Sequence, residues 1–309
     1  MKKTRLALIA GLALVLVVSV GMLIRRNIQY REGEEAYAEA EALVELPDLS
    51  QLPQPEPVPE EVPAGGETEG EQQPVYVDPY ADALRAMDFS ALREVNSDVL
   101  GWILIPGTAV SYPVVQGTDN TYYLNHTWKK WSSVVGSIFL ECQNSRDLSD
   151  FNTIIYGHRM NNGSMFASLK NYKKQSWWSA HPCVYITDDG GSHTYEIFAA
   201  YEVSTEGDTY RLGFRDDGEK QDFIDYCLSR SVIETGVTPQ VYDRILTLST
   251  CTGRGHDTRW VVQAVLRGEA PPEPEETAEQ EPAVEEAETP SVLDIVLGSA
   301  TGKTAEPAP

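Results

Sequence analysis

Apolar positions divide this chain into segments of different character. Residues 6–24, LALIAGLALVLVVSVGMLI, form an unbroken apolar run of nineteen, about the length a helix needs to span a hydrocarbon core. Between residues 76 and 268 the apolar residues come instead in short β-branched or aromatic runs: 101–107, 111–117, 137–141, 152–158, 183–188, 194–203, 245–251 and 259–266. Gly, Pro, Asn and Asp punctuate these runs, which predicts eight strands. The DDGGS at 188–192 has the chemistry of a hairpin turn. In 194–203 the alternation places Tyr195, Ile197, Ala199, Tyr201 and Val203 on one face. Helical spacing is confined to two places. Residues 88–96 start with Asp88 as a cap and put Phe89, Leu92 and Val95 on one side; residues 216–232 align Phe223, Ile224, Cys227 and Leu228. Short strands with helices outside them predict a mostly-β, closed or nearly closed barrel.

Charge sharpens the boundaries. Residues 1–31 hold six bases and no acid, 32–75 thirteen acids and no base, and 269–309 eleven acids and one base, Lys303. Most of the formal −23 therefore lies in the flanks. No basic stripe is visible, which argues against a nucleic-acid partner. The expected organisation is a cytoplasmic stub and transmembrane anchor at 1–31, an acidic Pro/Glu spacer at 32–75, a catalytic domain at 76–268 and a disordered acidic tail at 269–309. Residues 32–45 are Ala/Glu-rich enough to extend the anchor as a helix. A cleavable signal needs a shorter apolar region and a small-x-small exit, whereas this run ends in GMLIRRN, favouring an uncleaved anchor. Lys2, Lys3 and Arg5 precede the run, so the domain is expected outside the membrane, although Arg25, Arg26 and Arg31 on the far side weaken that asymmetry.

The candidate chemistry gathers at 246–266, LTLSTCTGRGHDTRWVVQAVL. Alternation in ILTLSTC turns Leu246, Leu248 and Thr250 to the core and Thr247, Ser249 and Cys251 to a polar face. Cys251 thus projects from a strand end. Cys227 falls on the apolar side of a helix and Cys142 and Cys183 at strand ends; Cys142–Cys183 is the one disulfide these contexts allow. A thiol needs a base and a cation to become a nucleophile. His158, ending the run NTIIYGH, and His256, in the loop after Cys251, compete as base; His126 and His193 read as structural or exposed. Arg159, Arg254 and Arg259 compete as cation, and Arg259 returns beside Cys251 if its strand pairs antiparallel with 245–251.

TLSTC, followed eight residues later by Arg259 and preceded by the distant YGH, resembles the sortases. Residues 88–126, the segment NTIIYGHRMNNGSMFASL (152–169) and the long helical insert before the last strands are similar to the class B branch. The resemblance implies an eight-stranded sortase-like β-barrel and a membrane-anchored cysteine transpeptidase of the Gram-positive cell surface. It assigns Cys251 as nucleophile, His158 as general acid/base and Arg259 as oxyanion and substrate clamp. Ser249, and with it Asn152, are implied to line the substrate groove. Class B members act on NPxTx-type signals, often on haem-uptake proteins, and some on PxTG-like ones. The implied partners are surface proteins bearing a C-terminal sorting signal and the amine of a peptidoglycan precursor or cross-bridge; no metal or cofactor is implied. Thr252, the acidic tail and the three further cysteines depart from the family pattern. Two rivals remain. An L,D-transpeptidase carries a His two residues before its thiol, where this chain has Ser249, and a non-catalytic surface barrel would leave Cys251 an ordinary residue.

Overall fold

The computed structural model describes residues 2–49, 52, 78–253 and 257–268. The Pro/Glu spacer from 53 to 77, the acidic tail from 269, and the candidates Arg254 and His256 lie outside the described residues. Eight strands, β1 Val99–Leu104, β2 Ser111–Val115, β3 Ile138–Leu140, β4 Asn152–Tyr156, β5 Cys183–Asp188, β6 Gly191–Ser204, β7 Ile245–Cys251 and β8 Thr258–Leu266, close into a barrel in the order β1-β2-β3-β4-β7-β8-β6-β5. The pairs β2–β3 and β4–β7 are parallel and the rest antiparallel. Closure removes the sheet edges that short strands would otherwise expose.

The barrel interior is filled from alternate positions: Ile155, Leu246, Leu248, Val262 and Ala264 point into one core. The opposite faces of β6, β7 and β8 are also buried, because a second cluster built on Phe198, Tyr201, Val203, Val261 and Val265 packs under helix α5, Asp217–Arg230. Asp216 caps α5 by accepting from the Glu219 amide, and Phe223, Ile224 and Cys227 form its buried stripe. The single apolar face expected along 194–203 is not kept. A bulge between Ile197 and Ala199 turns Tyr195 and Ile197 into the barrel, and Ala199, Tyr201 and Val203 toward α5. All four cysteines are free, so the Cys142–Cys183 bridge is absent; the separate contexts of the two thiols serve packing instead.

Three of the remaining helices are short. Helices α2 (Pro79–Leu84), α3 (Ser90–Val95) and α4 (Gln175–Ala180) lie at the periphery. In α3 the Asp88 carboxylate accepts from the Ser90 amide and hydroxyl, and Phe89 and Leu92 are buried, but Val95 is exposed. Helix α1, Lys2–Leu43, is continuous. Its first half is apolar and exposed, long and hydrophobic enough to cross a membrane. Its last turns pack on the barrel through Tyr37, Ala40 and, just beyond, Val44. The acidic spacer was expected to begin at 32. Its first residues continue α1, as the Ala/Glu-rich stretch allowed: Ala36, Tyr37 and Ala40 recur at helical spacing, bury on the barrel, and leave the glutamates facing out.

Candidate active site

Cys251 ends β7 and Arg259 is the second residue of β8, and the antiparallel register makes them direct partners across the two strands. Parallel pairing of β4 with β7 carries the chain from Tyr156, opposite Ser249, through Gly157 to His158 beside the thiol. His158 and Cys251 are close enough to shift each other's protonation. His158 Nε2 also donates to the Leu124 carbonyl at 2.6 Å, which leaves Nδ1 to trade a proton with the sulfur. All three side chains are half-buried, open enough for substrate and dry enough to strengthen charge.

The electrostatics of the two partners are complementary. The hydrogen bond to His158 lowers the Cys251 pKa below the ordinary thiol value; burial opposes the shift, and the charges of Arg259, His158 and Arg159 add to it. The same hydrogen bond raises the His158 pKa, aided by the Leu124 carbonyl and opposed by burial and Arg259. Both shifts move the pair toward thiolate and imidazolium. The other thiols go the opposite way. Burial pushes Cys183 up to about 12 and Cys227 up to about 11, and Cys142 is raised by burial and by its hydrogen bond to Glu141. Iodoacetamide at pH 7 is therefore expected to label Cys251 at least ~10-fold faster than Cys142, with Cys183 and Cys227 protected until unfolding. Peptide mapping of a labelling time course measures this, and uniform rates would mean that Cys251 is not activated.

The support of His158 was not visible in the sequence. Leu124 contributes a backbone carbonyl, which has no side-chain signature. Gly136 sits behind it at φ +63°, where an added Cβ would fall 2.7 Å from the Leu124 oxygen and 2.9 Å from His158 Cδ2. Tyr37 of α1 donates to the Gly136 carbonyl, so the helix braces the strap that holds the histidine. Gly253, at φ +77°, similarly leaves room for the Arg159 guanidinium over the β7–β8 loop.

Two other expected site residues are placed differently. Ser249 is 2% exposed, and its hydroxyl pairs with the Tyr210 hydroxyl at 2.9 Å. Tyr210 stacks on Tyr156, forming a wall next to the thiol that sequence reading missed. Tyr210 ends a 3-10 turn, Asp208–Tyr210, inside the long β6–β7 connection, where nothing in sequence spacing indicates its target. Asn152 does not line a groove. It is fully buried, its amide donating to the Thr209 and Arg211 carbonyls at 3.1 and 2.8 Å and its oxygen accepting from Thr247. It fastens the Tyr210 turn to the barrel. Gln263 and Tyr201 extend the same buried network to β8 and β6. Asn152→Leu leaves two carbonyls and a hydroxyl without these partners, and is expected to cost about 2–4 kcal/mol in a urea titration. A loss below ~0.5 kcal/mol would mean that the turn is held by other contacts.

Among known proteins, the family model of the sortase domain matches residues 103–267. The chain is 37% identical over 163 residues to sortase B of Staphylococcus aureus, covering 53% of this chain and 67% of that one. A solved S. aureus sortase B–substrate complex superposes with a TM-score of 0.56 at 35% identity, covering 59% and 85% of the two chains. Sortase B from B. anthracis superposes at 0.60 and 30% identity over 77% and 98%.

Proposed function

The chain belongs to the sortase family of cysteine transpeptidases, in its class B branch, and from that premise we propose that it cleaves an NPxTx or PxTG-like sorting signal after Thr and joins the protein to a cell-wall amine. The observation that carries the reading is the trio itself: His158 brought beside Cys251 by the β4–β7 pairing, with Arg259 in register opposite Cys251.

Each group has one task. The Cys251 thiolate attacks the Thr carbonyl, and the Arg259 guanidinium donates to the oxygen on which charge develops. The His158 imidazolium protonates the departing amide nitrogen, leaving a thioester and a neutral imidazole. The acceptor amine then attacks the thioester and gives its proton to that imidazole, and the thiolate leaves. Proton and electron pair both return to their starting places, so no cofactor is consumed. In this proposal α1 is a single-pass anchor that holds the catalytic domain, residues 76–268, on the outer face, where sorting-signal proteins and wall precursors meet.

The direct test gives the full chain in detergent a fluorogenic NPQTN-type peptide and, separately, an LPxTG-type peptide, each with and without an amine. Cleavage after Thr, an acyl adduct on Cys251 and an amine-dependent ligated product are the expected results. A chain that cleaves neither peptide, with an unmodified Cys251, would overturn the proposal.

A further inference from the structure

The catalytic imidazole also forms part of a second cavity. A space of about 380 Å³ lies between helix α1 and the segment that follows β4, with Met22, Arg25 and Arg26 on one wall and His158, Arg159 and Met160 on the other. Three arginines from two distant parts of the chain line it, and none of the lining residues is acidic. A cavity lined by three cationic side chains and no acid favours an anionic occupant. Guanidinium forks match the oxygen geometry of phosphate, and the two methionines give a phosphate-bearing molecule an apolar flank.

Position along α1 identifies the source of that phosphate. The apolar run 6–24 is nineteen residues, roughly 28 Å of helix, close to the thickness of a hydrocarbon core. Arg25 and Arg26 follow it directly, so the α1 wall of the cavity falls at the headgroup layer. Because α1 is continuous and its end is packed on the barrel, the other wall is carried to the same level. We infer that the cavity lined by Arg25, Arg26 and Arg159 is a binding site for the phosphate of an anionic membrane lipid, seated beside the catalytic histidine. This rests on α1 being the membrane span. An occupied site would hold the catalytic rim at the membrane surface, so that the peptide and the amine meet within the headgroup layer.

The test uses the full chain in detergent with phosphatidylglycerol, phosphatidylcholine as the zwitterionic comparison, and inorganic phosphate as competitor, read by native mass spectrometry. Wild type is expected to retain phosphatidylglycerol preferentially. Arg25→Gln with Arg26→Gln should weaken retention about tenfold or more. Arg159→Gln, on the barrel side and far in sequence from the anchor, should weaken it several-fold. Equal retention by wild type and both variants overturns the site, and displacement by millimolar inorganic phosphate overturns the lipid as its ligand. Flotation with phosphatidylcholine vesicles separates the two readings. A chain that does not float loses the membrane span and this site together, whereas one that floats without arginine-dependent retention loses only the site.

Discussion

Cys251→Ala is expected to reduce peptide cleavage and amine transfer by at least ~10⁴-fold, because among the described residues no other thiol stands at the barrel rim. The size of the effect follows from the geometry. The remaining thiols are held by burial or hydrogen bonding in their protonated form and stand elsewhere in the fold. Arg259 and the rim would still bind and polarise the carbonyl, leaving the residual rate that binding alone supplies. Cys251 is half-exposed at a strand end, so the variant should fold with little change in Tm. His158→Ala should also fall by several orders of magnitude, for a separate reason: it removes the largest cause of the thiol's lowered pKa and the proton donor together. Wild-type levels of acyl adduct on Cys251 in the His158→Ala protein would take His158 out of the acylation step. Detection of the acyl–enzyme by mass spectrometry, beside kcat/KM for each variant, distinguishes these outcomes.

Arg259→Lys is expected to lower kcat by roughly 10²–10³-fold, the ~2.7–4 kcal/mol that a single oxyanion donor supplies. Lysine keeps the positive charge that helps depress the Cys251 pKa, so the acid limb of the pH–rate profile should stay in place while the plateau drops. That pairing matters. A shift of the acid limb with an unchanged plateau would show that Arg259 acts on the thiol's pKa and not on the substrate oxygen. Near-normal turnover would make the guanidinium an ordinary rim residue, worth at most ~1 kcal/mol as a surface charge.

Both experiments probe residues that were legible before any coordinates. Short β-branched or aromatic runs bounded by turn residues placed all eight strands, and helical spacing placed α5. Cys251 and Arg259 were readable together, since antiparallel pairing through a short loop fixes their register. His158 was readable only as one of two histidines, with the resemblance to the sortases tipping the choice. The reading failed where both faces of a strand are buried. Along β6 the bulge at Ile197/Ala199 switches faces, and alternation carries no mark of it. Asn152, placed in the substrate groove only by the resemblance, is instead buried and bonded to the β6–β7 connection.

The order of hydrophobic and polar residues, by itself, determined a barrel of eight short strands, an apolar helix of membrane-spanning length and a thiol projecting from a strand end. Those features depend on neighbours within a few residues, which a linear pattern encodes. Only the tertiary structure decided that His158 is gripped by a carbonyl from residue 124, that Tyr210 closes over Ser249, and that α1 braces the histidine through Tyr37. These contacts join backbone groups and side chains 34 to 99 residues apart. Their energy depends on three-dimensional closure, for which no local periodicity exists.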